Sequence, residues 1–148
     1  MSDATHFRNL ERMYLAAPIN KIFPPKIVVS EAGAEIQIDV KPEYFHSVGA
    51  VHGSVVFKLL DDSAFFAANS LEQTVFVLTT SFTTYLTRPV SSGIIRAVGK
   101  VVNQNKTQFI AESIAYDSAG KEIGRGNGIF VRGKIPLIEA LGYASARI

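Results

Sequence analysis

The sequence predicts an α+β fold in which a curled antiparallel sheet wraps around one long central helix, with a further helix at the N-terminus. Two observations lead to this prediction. Residues 54–69 contain no Gly or Pro and are apolar around most of the helical circumference, which is typical of a buried helix. Two strand patterns precede this segment and four follow it, separated by short turn signals. This order favours an antiparallel meander over alternating βαβ units.

The N-terminal helix is indicated by apolar side chains that recur at helical spacing from Leu10 to Ala17. Hydroxyl and carboxylate side chains close to position 3 are available as N-caps. We expect this helix over roughly the first seventeen residues, within a helical region of about 1–20. The segment "PINKIFPP" then ends it, because proline cannot continue a helix.

The strands are predicted from alternating apolar residues bounded by turn residues. The hydroxyl-rich segment 78–87 suits a strand, and a hydroxyl there can orient a water if the strand borders a site. The predicted strands, of which the first two form a hairpin, are 26–30, 34–40, 74–89, 93–102, 107–117 and 121–133.

Length and composition limit the classes of function. The 148 residues suit a single domain, 1–148, and 47% hydrophobic with 19% charged residues indicates a globular chain. The slightly positive mean hydropathy suggests a subunit interface. A net charge of +2 without a basic stripe argues against nucleic acid as a partner. There is no signal core or membrane-length apolar run, and no cysteine, so we expect a soluble cytoplasmic protein without disulfides or a thiolate nucleophile.

Gly53 stands where the predicted central helix begins. Its backbone N–H lies in or just before the first turn, where amides lack intrahelical partners and the helix dipole is positive. Such an amide can hold a developing oxyanion, and a catalytic donor of this kind contributes about 3 kcal/mol. The alternative is a glycine that only lets the chain enter the helix tightly.

Two adjacent carboxylates, Asp61 and Asp62, interrupt the apolar helix. An unpaired carboxylate in such surroundings is costly, so each needs a partner, a solvated cavity or a functional role. Lys58 lies four residues before Asp62 and three before Asp61, and can form an ion pair on the helix flank. One lysine cannot neutralise both carboxylates.

The spacing of Gly53 and Asp61 has a geometric consequence. Eight residues of helix separate them by about 12 Å along the axis. A general base and an oxyanion donor must both lie about 3 Å from the reacting group. A two-fold dimer with antiparallel central helices brings Asp61 of one chain close to Gly53 of the other, so catalysis by these residues requires a dimer or a larger assembly.

The other polar residues have structural alternatives. His46 and His52 form no compact ligand set, so we predict no metal site, and a histidine beside a helix start is typical of a structural hydrogen bond. There is no G-x-S-x-G elbow, so Ser54 is not expected to be a triad nucleophile. The "GRGNG" glycines recur at period two in a strand, which favours packing against another backbone over a phosphate loop. We predict no cofactor.

From about residue 26 to 132 the sequence resembles the hotdog-fold acyl-CoA thioesterases of the PaaI-like group, which are related to 4-hydroxybenzoyl-CoA thioesterases. That group has a loop of the form N-x-x-G-x-x-H-G-G, an acidic residue nine positions after the histidine, and a Thr or Ser on the next strand before a Y-L-x-P-like end. Here "HSVGAVHGS" matches the loop, Asp61 stands nine residues after His52, and "TTSFTTYLTRP" supplies the strand.

The resemblance implies a role for each matching residue. Gly53 corresponds to the oxyanion-hole amide, and Asp61 to the general base or nucleophile. Thr79, eighteen residues after Asp61, corresponds to the hydroxyl that positions water. His52 is expected to shape the loop and contact the thioester region.

Three positions depart from the family pattern. His46 replaces the usual Asn, which changes the hydrogen bond on the carbonyl or water side, and Ser54 replaces the second Gly. Sliding "DDSAFF" by one residue would place Asp62 on the family's Asp, but counting from the histidine along one helix favours Asp61.

The resemblance implies hydrolysis of an acyl-CoA thioester at a dimer-interface site, in a homodimer that assembles into a homotetramer. Asp62, Ser54 and Arg88 are expected to line the substrate site. Arg88 suits the CoA phosphates by its charge, as do Lys100 and Arg132. The alternative is a hotdog protein that binds or senses acyl-CoA without hydrolysing it, and the substitution of His46 keeps this alternative open. The distinct motif of the hotdog hydratases is not found.

Overall fold

The computed structural model describes residues 2–144, and it contains both predicted helices and all six predicted strands. Short 3-10 turns, which the sequence did not indicate, lie at Pro18–Lys21, Pro42–Tyr44 and Leu137–Glu139. The regular elements in chain order are α1 (Asp3–Ala16), β1 (Pro25–Ser30), β2 (Gly33–Asp39), α2 (Gly53–Ser70), β3 (Val75–Leu86), β4 (Ile94–Gln104), β5 (Gln108–Tyr116) and β6 (Glu122–Pro136).

The N-terminal helix ends slightly earlier than predicted. Ser2 caps it, with its Oγ accepting a hydrogen bond from the Thr5 N–H at 3.2 Å. The helix stops at Ala16, and Ala17 takes an extended conformation with ψ of 129°. Proline at position 18 explains this, because the residue before a proline is driven out of the helical region. The region 17–20 is therefore a cap and a 3-10 turn, and not part of the α-helix.

The six strands form one antiparallel sheet in the order β1-β2-β4-β5-β6-β3, so β1 and β3 are its edges. Helix α2 contacts all six strands, which requires the sheet to curl around it. The side chains of Leu59, Leu60 and Ala64 on α2 are fully buried in the resulting core. The predicted α+β architecture, a curled antiparallel sheet around a central helix with an N-terminal helix, is confirmed.

One close approach fixes α2 against the middle of the sheet. Gly99 on β4 lies so near the helix that a Cβ there would stand 2.2 Å from the carbonyl oxygen of Ser63. Only glycine fits at this position without moving one of the two elements. The close contact fixes the distance between the middle of α2 and strand β4.

The glycines of the "GRGNG" segment lie within β6, as predicted, and not in a loop. A Cβ on Gly126 or Gly128 would clash with the ring of Phe82 as well as with backbone carbonyl oxygens of β3. The smooth face therefore accommodates an aromatic ring in addition to the neighbouring backbone. Within residues 2–144, no helix is long and apolar enough to cross a membrane.

Candidate active site

The first turn of α2 presents one free backbone amide. His52 is the N-cap: its Nδ1 accepts the Ser54 N–H at 3.1 Å, and Ser54 Oγ lies 2.7 Å from the same nitrogen. The Val55 N–H bonds to the His52 carbonyl at 3.0 Å. The N–H of Gly53 makes no hydrogen bond within the described part of the chain, so it is available at the positive end of the helix dipole.

A cavity of about 320 Å³ lies beside this amide. His46, Gly53 and Arg88 all contribute to its lining, and so do apolar residues of the preceding loop and of β3. His46 is exposed, and its Nδ1 accepts the Val48 N–H of its own loop at 3.1 Å. The structure thus places three of the predicted site residues around one opening.

Asp61 lies further along α2, at a second and larger cavity of about 410 Å³. Its Oδ1 accepts a hydrogen bond from Thr79 Oγ1 on β3 at 3.0 Å. Burial raises the pKa of the Asp61 carboxyl to about 6, opposed by the Thr79 hydrogen bond, while the Asp62 charge raises it further and Lys58 lowers it. A carboxyl with this pKa can exchange a proton near neutral pH.

Asp62 has different surroundings, because its charge is already compensated. Its Oδ2 accepts hydrogen bonds from Tyr14 Oη at 2.6 Å and from Lys58 Nζ at 2.7 Å. The Lys58–Asp62 ion pair that the i,i+4 spacing predicted is confirmed. Lys58 Nζ also donates to Asn20 Oδ1 at 2.6 Å, so the group forms a network that ties α2 to α1 and the following turn.

Tyr14 and Asn20 were not among the predicted site residues, although both line the cavity that contains Asp61. Their only sequence signal is a tyrosine on the apolar face of α1 and an asparagine in the segment that ends it. Neither feature predicts which residue of α2 the side chain will contact. The contacts with Asp62 and Lys58 depend on how α1 docks on α2, and local sequence patterns do not specify that docking.

Gly53 and Asp61 line separate cavities. They are eight residues apart on one helix, and thus about 12 Å apart along its axis. Phe57, midway between them, is 39% exposed, so this face of α2 is not covered by the chain's own sheet. Within one chain the amide and the carboxylate do not meet.

The three basic residues considered for phosphate binding differ in availability. Lys100 pairs with Glu112 at 3.4 Å, and the Arg132 guanidinium pairs with Glu72 at 2.8 Å. Arg88 is exposed and forms no ion pair within residues 2–144. Among the residues that the structure describes, no group of three or more potential metal-ligating side chains is close enough to hold a metal ion.

Residues 48–123 match the family model described as Thioesterase superfamily. This segment is more than half of the chain and includes the helix start, both aspartates and the Thr79 strand. The chain belongs to the thioesterase superfamily. The predicted family is therefore confirmed, and helix α1 lies outside the matched segment.

Solved structures with the same fold include the PaaI protein of the E. coli phenylacetic acid degradation operon, with TM-score 0.82, 20% identity, and coverage of 90% of this chain and 97% of that one. Protein PA5202 from Pseudomonas aeruginosa has TM-score 0.77 and 19% identity, covering 82% and 98%. Protein TT0310 from Thermus thermophilus has TM-score 0.72 and 18% identity, covering 78% and 97%. These likenesses show the hotdog fold. No protein with a curated description matches the sequence significantly.

Proposed function

We propose that this protein hydrolyses an acyl-CoA thioester to the free acid and CoA, at a site formed by two chains. Membership of the thioesterase superfamily supports thioester hydrolysis in general. The observation that carries the specific proposal is that the chain has both a free helix N-terminal amide at Gly53 and a half-buried, Thr79-bonded carboxylate at Asp61. These two groups supply what acyl transfer to water requires, an oxyanion donor and a base.

In the proposed reaction the Gly53 N–H binds the thioester carbonyl oxygen and stabilises the negative charge that develops on it. Asp61 either takes the proton of an attacking water, or attacks the carbonyl carbon itself and forms an acyl anhydride that water then hydrolyses to release the free acid. The carbon–sulfur bond then breaks and the CoA thiolate leaves with the electron pair. No strong general acid is needed, because a thiolate is a good leaving group. Thr79 holds the carboxylate and orients the water.

Asp61 is preferred over Asp62 because their surroundings differ. The Asp62 oxygen that faces α1 is held by Tyr14 and Lys58, which makes its carboxylate a structural partner. Within the described residues, the side chain of Asp61 is hydrogen-bonded by the hydroxyl of Thr79, and burial raises the pKa of its carboxyl. A base with a raised pKa and a spare oxygen is the better proton acceptor.

The two-chain site follows from the separation of the two groups. Antiparallel pairing of α2 from two chains would bring each Gly53 to the partner's Asp61 across a two-fold axis. The uncovered face of α2 around Phe57 and the free edge of β3 are the surfaces that such a dimer would bury. On this arrangement Arg88, at the rim of the Gly53 cavity, would meet the CoA phosphates. His52 and Ser54 would hold the loop that carries the amide.

Steady-state hydrolysis of an acyl-CoA panel tests the proposal. We expect Asp61→Asn to lower kcat by about 100-fold or more, since general base catalysis contributes about 10²–10⁴. Asp62→Asn is the matched control and should retain most of the activity in protein that stays folded. Equal rates for wild type and Asp61→Asn would contradict the assignment.

A non-catalytic acyl-CoA-binding protein is the second candidate, and His46 is the observation that favours it. Its Nδ1 is occupied by the Val48 N–H within its own loop, where the family pattern has an amide side chain. Acyl-CoA binding measured by calorimetry, with no CoA released by the wild type, would support this candidate and exclude the hydrolase.

A further inference from the structure

Helix α1 forms one wall of the cavity that contains Asp61, although it lies outside the segment that the family model matches. We infer that α1 and the turn after it set the size of the acyl group, and that this cavity takes a neutral, apolar acyl or aryl group. The inference rests on the proposed function, since it takes Asp61 as the group next to the thioester carbon.

Most of the wall surface of the cavity is apolar, and its polar side chains are gathered around Asp61 and Asp62. On one side stand Met13 and Ala17, and Ile19 follows in the 3-10 turn. Phe65, Phe66 and Phe76 also line the cavity, and the ring centroid of Phe65 lies 5.1 Å from that of Phe66 and 5.0 Å from that of Phe76. Aromatic edges and faces of this kind pack well against alkyl chains and rings.

The size of the cavity, about 410 Å³, limits its occupant. An apolar protein cavity of about 150 Å³ is enough to hold benzene. The cavity therefore has room for an aromatic ring with several additional methylene groups, or for a medium-length alkyl chain. Ala17 and Ile19 both line the cavity, so a larger or smaller side chain at either position changes its volume.

The polar groups at the cavity explain the preference for a neutral acyl group. Lys58 is the cationic residue in its lining, and its Nζ already donates to Asp62, Asn20 and Tyr14. An ammonium has three donors, so none is left for an acyl group that carries a carboxylate. The Asp61 charge would also repel such a group.

The first test makes the cavity smaller with Ala17→Phe. We expect kcat/KM to fall for octanoyl-CoA, decanoyl-CoA and phenylacetyl-CoA, by about fourfold for each methylene that no longer fits in the cavity. For butyryl-CoA we expect little change. Leu15→Phe is the matched control, because Leu15, in the last turn of α1 two residues before Ala17, is 50% exposed and does not line the cavity. Its chain-length profile should equal that of the wild type.

The second test makes the cavity larger with Ile19→Ala. Ile19 is 51% exposed, so its truncation should leave the melting temperature nearly unchanged. We expect the preferred chain length to increase, with a gain for dodecanoyl-CoA relative to octanoyl-CoA. Ile22→Ala is the control, since Ile22 is 64% exposed and outside the cavity lining. If circular dichroism shows that Ala17→Phe and Ile19→Ala are folded and their dependence of kcat/KM on acyl-chain length equals that of the wild type, the inference is overturned.

A binding measurement separates this inference from the proposed function. In the Asp61→Asn background, affinities for the same acyl-CoA series are measured by calorimetry with and without Ala17→Phe. A loss of affinity that grows with acyl-chain length supports the inference, whether or not the wild type hydrolyses any acyl-CoA. An absence of hydrolysis in the wild type would refute only the proposed function. Hydrolysis that depends on Asp61 together with unchanged profiles would refute only the inference. Faster turnover of glutaryl-CoA than of hexanoyl-CoA would contradict the preference for neutral groups.

Discussion

Asp61 and Asp62 are neighbours in sequence, but their carboxylates face different parts of the molecule. The spacing of Lys58 was enough to predict that one carboxylate would be paired. It was not enough to predict the hydroxyl of Tyr14, which comes from a helix that is 48 residues away in the chain. Local patterns specify neighbours on one helix, while a contact of this kind depends on the docking of two helices.

The hydrogen bond from Thr79 gives a prediction about pH dependence. Asp61 must be ionised to act, and its pKa is about 6, so kcat/KM should rise with pH up to about 6 and level off above it. Because the Thr79 hydroxyl lowers this pKa, Thr79→Val should move the acid limb to higher pH. Thr80→Val is the control, since that hydroxyl bonds to the Ile129 carbonyl. An identical acid limb in both variants would show that Thr79 does not act on the base.

The same raised pKa predicts the sign of a stability effect. At pH below 3.8 Asp61 is protonated in both folded and unfolded chains, and its ionisation costs nothing. Between pH 3.8 and about 6 Asp61 is ionised in the unfolded chain but still protonated in the folded one, so the free energy of unfolding falls as pH rises. Above pH 6 Asp61 is ionised in both, and the whole of this loss in stability remains. Asp61→Asn removes this cost and should be more stable than the wild type by about 1–2 kcal/mol at pH 7.5, after allowing for solvent screening.

Urea unfolding at pH 7.5 and pH 3.5 measures this effect directly. The two proteins should have nearly equal stability at the lower pH, where the wild-type carboxyl is neutral. Asn can still accept the Thr79 hydrogen bond, so the comparison isolates the charge. A variant that is less stable than the wild type at pH 7.5 would mean that the ionised carboxylate stabilises the fold.

At the level of elements, periodicity was sufficient to predict both helices and all six strands. The apolar circumference of α2 and the alternation of apolar and polar residues in β2 are visible within short stretches of sequence. They can therefore be recognised without knowing the fold. The order of strands in the sheet is not such a property. Strand β3 follows α2 in the chain but pairs with β6, and its register shifts near Thr79 and Ser81 depend on that pairing.

Gly99 illustrates what the sequence did not show about packing between elements. In the sequence it is one glycine within a strand pattern, whereas in the structure it is where α2 comes nearest to the sheet. We expect Gly99→Ala to lower the free energy of unfolding by about 2–4 kcal/mol, because the Cβ would overlap the Ser63 backbone and neither element can move freely. Thermal and urea unfolding measure the loss.

Gly33→Ala is the matched control for this prediction. Gly33 also lies in a strand next to β4, but its nearest neighbour to a Cβ would be the Ser30 hydroxyl at 3.2 Å, which can rotate away. Gly33→Ala should therefore lower the free energy of unfolding much less than Gly99→Ala does. Similar losses for the two variants would indicate a general preference for glycine in these strands and not a close contact with α2.

At the level of the whole molecule, part of the exposed apolar surface lies where the proposed site is incomplete. Phe57 on α2 is 39% exposed, and Leu78 and Leu86 on the edge strand β3 are 49% and 54% exposed. A second copy that covered these side chains would bury apolar surface and complete the sheet edge. The homodimer is thus proposed from the same face that carries Gly53 and Asp61, and its assembly into a homotetramer stays a prediction.

A variant that removes the Gly53 N–H, compared with one that adds only a Cβ, can test the two-chain site. Gly53 is the first residue of α2, a position where proline is well tolerated. His52 has φ of −59° and ψ of 139°, which is the conformation that a residue before proline prefers. Gly53→Pro should therefore fold and lose about 10²–10³ in kcat. Gly53→Ala adds the same Cβ near Leu86 but keeps the N–H, and should lose much less.

Mixing two inactive variants decides whether the site joins two chains. Asp61→Asn and Gly53→Pro chains are unfolded together, refolded as a mixture and assayed beside each protein treated alone. In a mixed dimer the Gly53 amide of the first chain meets the Asp61 carboxylate of the second, so one of the two sites is intact. Random pairing makes about half of the dimers mixed, and the mixture should regain about a quarter of the wild-type activity. If the site were formed by Gly53 and Asp61 of the same chain, every chain in the mixture would still lack one of the two groups. The mixture would then be as inactive as the two variants alone.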